Sequence, residues 1–493
     1  MTAADTASRP ESGADPPRAD PSGADVPATG VPATSAPAAG GAGVGSPSPG
    51  VAPAGSGAQC VGRAGSTPRS WLGGQAGEAV SWVLATAALA GVTALLATSG
   101  VTYASDGSAT DARIAWGTLP LAWPPRLGTA TLLPLALAAL VLCSVALVAR
   151  RRTGRPSPPF GPLLGLSYVV SAGWWLALGV ASPRGLGAPV GLLAAADRHP
   201  SDLLDRVSGQ PPGPELLVWV LGQLGIRGAT AVGVAFTLIG ALVVPMVGLA
   251  VRSLCHAPAA RRLLPVLVLA PWAPFAAGGP DAVTAAVAAS AVAVGVVGSE
   301  RGRRAWWALG AGLLLGVSGL FAYPALWLGV AVAAAYFVRR RPMLNVITGA
   351  GALAPLFAVR LTGYSWPEGL GRAGADPFDH AALTWLVPDL LAVSLCCGPA
   401  LARAARRVSM TPGWPFLVGA AAAALFALLA GLAAGGVQTS WLPLFPWLVV
   451  PALAPRPRPA LPGDTSSAGT LPYGLVGAGA VVAVAVATLL TPG

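Results

Sequence analysis

The sequence predicts an all-α polytopic membrane protein of about thirteen transmembrane helices (11–13), preceded by a tail without fixed structure. Three observations carry this. Of 493 residues, 54% are hydrophobic and only 10% charged, against roughly a quarter charged in a soluble domain. From Val80 onward, apolar runs of 14–23 residues alternate with short polar loops. All thirty basic residues are arginine, and most of them cluster in alternate loops.

Residues 1–75 are Ala, Pro, Gly and Ser with scattered Asp and Arg. That composition has too little apolar bulk to offset the entropy of ordering, so the segment is expected to be disordered. It has no basic stretch followed by a short apolar core and therefore does not read as a signal peptide. Residues 76–493 form the helical domain, with expected spans at 80–101, 129–149, 161–181, 229–251, 263–278, 282–299, 305–320, 325–338, 343–361, 381–402, 414–435, 441–455 and 472–490. A span needs about 20 residues at 1.5 Å each, fewer where a helix ends early.

Arginine placement orients these spans. One set of loops holds Arg150–Arg152 with Arg155, then Arg252, Arg261 and Arg262, then Arg301, Arg303 and Arg304. The set continues with Arg339–Arg341, then Arg403, Arg406 and Arg407, then Arg456 and Arg458, eighteen in all. The opposite loops, chiefly 102–128, 182–228 and 362–380, hold eight when Arg360 at a helix end is included. The positive-inside rule puts the eighteen in the cytoplasm, the N-terminus inside and the C-terminus outside, in a multi-pass protein of the inner (plasma) membrane. The net charge of +11 is thus a topological signal. The lipid bilayer is the expected partner and nucleic acid is not. Cys60, Cys143, Cys255, Cys396 and Cys397 form no CxxC pair and suggest neither a disulfide framework nor a zinc site.

Carboxylates gather on the opposite side. Asp106 and Asp111 stand five residues apart in the first outer loop, a spacing suited to sharing a divalent metal or placing a base, although solvated loop acids look the same. The long second outer loop runs through Asp197, Arg198, His199, Asp202, Asp205 and Arg206 to Gln210-Pro-Pro-Gly-Pro-Glu215. Its Pro-Pro-Gly turn leads into a helix too short to span, expected to lie at the interface with Trp219 among the headgroups. Asp389 falls inside the tenth span, where a charge needs a cavity or a partner. Trp174–Trp175, Trp306–Trp307, Trp441 and Trp447 read as interfacial anchors. The Gly-rich run 309–319 reads as a close-packing surface, since no Walker lysine exists in the chain.

Several segments, in chain order, resemble a known family. Gln210 to Trp219 is similar to the His-Pro-Pro-Gly stretch of actinobacterial integral membrane proteins related to the GT-C glycosyltransferases. Leu267–Pro271 with Gly279–Ala282 is similar to their helix–turn–helix bearing an outer Asp. Ala311–Tyr323 resembles their Gly-rich helix ending in Tyr, and Leu391–Ala400 their Gly-Pro-Ala helix end. Trp441-Leu-Pro-Leu-Phe-Pro-Trp447 resembles their Trp-Leu-Pro motif, so the likeness covers about residues 190–450.

The resemblance implies transfer of a sugar from a polyprenyl-phosphate-linked donor to an acceptor glycan or lipid at the outer face. It assigns the base to Asp111 or Asp106, with Mg²⁺ or Mn²⁺ between them as the implied metal. It makes Asp281 an outer-turn anchor, and it places Arg198 or Arg206, with His199 and Gln210, at the donor. Gln210 replaces the family's His, and Gly436–Ser440 lacks its two carboxylates and its Arg. The implied transferase is therefore either active or catalytically degenerate. The alternatives are a transporter or flippase of lipid-linked substrates and a non-catalytic partner in envelope assembly.

Overall fold

A computed structural model of the chain describes residues 74–98, 125, 127–151, 159–199, 203, 209–373, 380–432, 436–454 and 472–490. The expected tail lies almost entirely outside them. Regular structure among the described residues is helical. The longer helices are α1 (Gln75–Thr98), α2 (Leu132–Arg151), α3 (Phe160–Ala181), α4 (Gly213–Gln223), α5 (Ala229–Gly240) and α6 (Val243–Leu254). Next come α7 (Ala257–Val268), α8 (Pro280–Gly298), α9 (Trp306–Phe321), α10 (Gly329–Val338) and α11 (Leu344–Leu361). The last are α12 (Trp366–Ala373), α13 (His380–Cys397), α14 (Ala400–Arg407), α15 (Trp414–Leu429) and α16 (Tyr473–Leu489).

Six helical stretches are long and apolar enough to cross a membrane: Gln75–Leu96, Thr129–Leu147, Phe160–Ala181, Ala229–Leu254, Pro280–Gly298 and Leu344–Leu361. The α13–α14 pair passes the same measure only if its two helices, bent by 102°, count together as one span. Such a chain suits a lipid bilayer, and its surface agrees. Leu84 and Leu95 on α1, Leu140 on α2, Val169 on α3, and Leu353, Phe357 and Leu361 on α11 are all exposed. Water would not tolerate that much continuous apolar surface, whereas lipid tails solvate it.

At the centre stands α8, with 78% of its apolar stretch buried in protein, against 6% for α1. Its Ala- and Gly-rich sequence lets α5, α6, α9 and α10 approach closely. The closest packing joins α9 to α11. A Cβ on Gly351 would lie 2.7 Å from Leu309 O, and one on Gly312 would meet Thr348 O. Thr348 Oγ1 donates to Ala308 O at 3.1 Å and lies 3.0 Å from the Tyr336 hydroxyl. The Gly-rich run is thus a packing surface, as its sequence suggests.

Three of the expected spans are interrupted where prolines fall. In 263–278, α7 starts earlier, at Ala257, capped by His256, whose Nδ1 accepts from Ala259 N at 2.9 Å. It stops at Val268, and Pro271 and Pro274 follow in a turn with one helical turn, Ala273–Ala276. In 381–402, Gly398 at φ +63 and Pro399 separate α13 from α14. In 441–455, Pro443, Pro446 and Pro451 leave only one turn of α-helix, Phe445–Leu448, and one of 3₁₀, Val450–Ala452. Irregular backbone at such depth persists only where protein covers it, and nearly all of 442–454 is buried.

Trp174, Trp175 and Trp447 are correspondingly not interfacial anchors. All three are fully buried, with Trp447 stacked on Phe416 at 4.9 Å between ring centroids. Trp306 is exposed beside Trp307, as expected of a belt.

The two ends of the bundle differ in chemistry. Ser253, Ser299, Glu300, Arg339 and Arg341 meet at one end, where Arg339 donates to Val296 O and Ser299 Oγ, both at 2.9 Å. Arg403 and Arg407 donate to Ala452 O at 3.0 and 3.1 Å, and Thr411 Oγ1 donates to Ala454 O at 2.9 Å. Two of the arginine-bearing loops, at Arg339–Arg341 and Arg403–Arg407, thus anchor their neighbours through backbone carbonyls.

Candidate functional site

At the other end of α9 and α8, the loops around Gly187, Gly209–Pro214, Gly278 and Tyr364–Ala373 come together. A cluster of Ala188, Ala195, Leu203, Val218, Leu221, Val232, Phe236 and Val283 underlies them. The short helix α4 lies on this cluster, with Pro214 in its first turn and Trp219 half-buried against it. Pro212 and Gly213 turn the chain back over the end of α9. A Cβ on Gly213 would lie 2.6 Å from Leu320 O, so no larger residue fits there.

An aromatic group holds this turn. Tyr323 OH donates to Gly209 O at 3.3 Å and lies 2.8 Å from Tyr364 OH. Trp366 meets the Tyr323 ring edge-on at 5.1 Å, and its Nε1 donates to Gly319 O at 3.0 Å. Burial pushes the Tyr364 hydroxyl above the ordinary phenol range, which keeps its proton available for the shared bond. Gly369 on α12 completes the contact. A Cβ there would come within 2.5 Å of the Tyr323 hydroxyl and 2.6 Å of that of Tyr364. Tyr364 and Trp366 were not singled out from sequence. Their signal was a Trp-Pro start of an amphipathic helix directly after a membrane span.

Gln210 is exposed and borders a cleft with Leu192, Leu203, Pro211, Pro212, Pro214 and Glu215. At about 20 Å³, the cleft has room for about one water. Arg198 is half-buried and His199 exposed, next to Asp197, which pairs with Arg227 at 3.5 Å. Asp281 is half-buried in the first turn of α8, beside Val283 of the underlying cluster. Asp106, Asp111 and Arg206 lie outside the described residues. The structure therefore brings Gln210 together with Glu215, and Arg198 and His199 with the Asp197–Arg227 pair.

Within the described residues no group of three or more His, Cys, Asp or Glu side chains gathers to hold a metal ion. Asp106 and Asp111, the residues implied to hold a divalent metal, lie outside that set. Asp389 is 4% exposed within α13, and its Oδ1 has no hydrogen-bond partner among the described residues. No family model matches the chain, and neither a curated protein nor a solved structure matches it.

Proposed function

We propose that the chain is a GT-C-like membrane glycosyltransferase that takes a sugar from a polyprenyl-phosphate donor at the end of the bundle opposite the arginines. One observation carries this reading: the Gln210–Pro214 turn is seated on Tyr323 at the end of the Gly-packed helix α9. Two segments far apart in sequence, each resembling a family motif, thus form one structured shelf. The reading includes thirteen passages, some built of broken helix, with the N-terminus cytoplasmic and the shelf outside. The bond between Ser253 and Glu300 supports the passages at 263–278 and 282–299, because it puts the start of α7 and the end of α8 at one end. In this reading the segment between them crosses to the shelf and returns.

In the proposed reaction an acceptor hydroxyl oxygen bonds to the anomeric carbon of the sugar. The bond from that carbon to the phosphate oxygen breaks, and polyprenyl phosphate leaves with the electron pair. The hydroxyl proton passes to a carboxylate, for which Asp111 and Asp106 are the candidates. Arg198 and Arg206 are the candidates for neutralising the departing phosphate. The test is an assay of purified protein in lipid with a panel of polyprenyl-phosphate sugars, reading transfer to membrane-lipid and glycan acceptors. Transfer from one donor supports the reading, and no transfer from any donor turns it toward a non-catalytic role.

A second reading, a transporter or flippase, is favoured by one observation. The α13–α14 pair breaks at Gly398–Pro399 and buries Asp389 midway along α13, nine residues before Gly398. Discontinuous helices and intramembrane acids are features that transporters use. Donor-independent movement of a fluorescent lipid-linked sugar across proteoliposomes, lost in Asp389→Asn, would establish it.

A further inference from the structure

We propose that the arginine-bearing end of the bundle holds a binding site for a phosphate-type anion, formed where Ser299–Arg301 meets Val338–Arg340. An open cleft of about 510 Å³ lies between these segments, lined by Ser299, Glu300, Arg301, Val338, Arg339 and Arg340. That is the size range of small-ligand pockets. The three consecutive arginines divide their work. Arg339 reaches into the bundle, donating to Val296 O, Ser299 Oγ and Ser253 Oγ at 2.9, 2.9 and 3.1 Å, and to Ser253 O. Arg341 clamps the facing turn, donating to Glu300 O at 2.9 Å and to Gly298 O and Arg303 O, both at 3.3 Å. These bonds hold the walls.

Arg340 stands between the two clamps and makes no such bond. Its side chain and that of Arg301 are exposed on the cleft with no hydrogen-bond or ion-pair partner among the described residues. The acid of the cleft is already engaged: Glu300 accepts from Ser253 Oγ at 2.6 Å and lies 3.8 Å from Arg303 Nε. The cleft is therefore left with uncompensated positive charge.

The backbone adds a second observation. Arg341 N donates to Tyr336 O at 2.9 Å and Arg340 N to Phe337 O at 3.0 Å, the paired bonds of a Schellman cap on α10. Arg340 occupies its left-handed position at φ +56 and is the one non-glycine residue with positive φ among the described residues. Glycine is the residue that takes this conformation freely, whereas arginine takes it under strain. A guanidinium at that position adds nothing to the cap and faces the cleft. Two free guanidiniums at the rim of an open cleft recognise phosphate oxygens, which come either from an anionic lipid headgroup or from a soluble phosphate.

The test uses the full-length protein in neutral detergent, with two probes, phosphatidylglycerol and inorganic phosphate. Binding is read by native mass spectrometry and by the shift in thermal unfolding, with phosphatidylcholine as the blank. Arg340→Gly and Arg340→Asn keep the left-handed backbone and remove the charge, and Arg301→Gln removes the second one. Each is expected to weaken binding of at least one probe about tenfold, with Arg340→Gly unfolding at or above the wild-type temperature. Loss confined to phosphatidylglycerol identifies a lipid headgroup as the ligand, and loss confined to inorganic phosphate a soluble one. Arg304→Gln, an exposed charge outside the cleft, is expected to leave binding unchanged. Wild-type affinity for both probes in the Arg340 and Arg301 variants would overturn the site. So would an equal loss in Arg304→Gln, which would mean diffuse surface charge.

Discussion

Arg403 Nη1 lies 3.5 Å from the Glu78 carboxylate, and both side chains are almost wholly buried. The pair ties the start of α1 to α14, while Arg403 Nε also donates to Ala452 O at 3.0 Å. Farther along α1, Trp82 Nε1 donates to Ser394 O at 3.0 Å, and Thr86 Oγ1 lies 2.7 Å from Ser394 Oγ. The helix with the least buried surface is thus held to the bundle by a row of polar contacts. In lipid, where apolar contact gives no net advantage over contact with tails, such contacts and close packing are what bind helices together.

Glu78→Gln or Arg403→Met alone should destabilise the protein by roughly 3–5 kcal/mol, since each leaves a buried charge without its partner. The double variant Glu78→Leu/Arg403→Met should recover most of that loss. Unfolding in detergent reports both, and additive losses would mean that the pair is not coupled.

Gly312→Ala should cost about 1–3 kcal/mol, because its Cβ meets the backbone at Thr348 O, which cannot rotate away. Gly349→Ala on α11 has open space around its Cβ and should be neutral or stabilise by up to about 1 kcal/mol. The same unfolding assay separates the two, and similar behaviour would refute the tight α9–α11 contact.

Tyr364→Phe removes one hydroxyl of the Tyr323–Tyr364 pair and should cost about 1 kcal/mol. Gly369→Ala should cost more by pushing the two rings apart. Both changes should speed protease cleavage near Gly209, whose carbonyl Tyr323 holds. Cleavage at the wild-type rate would detach the turn from the aromatic group.

The proposed orientation is checked by single cysteines in a background without native cysteine. A Cys at the exposed Leu224 should react with an impermeant reagent added outside intact cells, and one at the exposed Ala305 only after permeabilisation. Reversed labelling would move the proposed reaction to the other face.

If the transferase reading holds, Asp111→Asn keeps the side-chain size, removes the base, and should lower turnover by roughly 10²–10⁴-fold. Asp106→Asn tests the same role. Folding should be unaffected in both, and an unaltered rate in both would remove the first outer loop from the mechanism.

What sequence alone determined here was what accumulates along the chain. Hydropathy located the long apolar helices to within a few residues, α3 at 160–181 against an expected 161–181. Arginine spacing sorted the loops, and several of those arginines meet at one end of the bundle. The glycines of 309–319 announced close packing because small residues have that use in any helix. What folding alone decided depends on who the neighbour is. Glu78 fell between the tail and the first span and drew no notice, since only the docking of α14 makes it a buried acid. Trp174 and Trp447 carry interface residue types near interface positions, yet other helices cover them. The prolines of 441–455 were visible, but a hydropathy average cannot register a missing N–H. Arg340 looked like one more positive-inside arginine. Its left-handed backbone belongs to the cap of α10, and its guanidinium is left free while Arg339 and Arg341 on either side are drawn into the bundle.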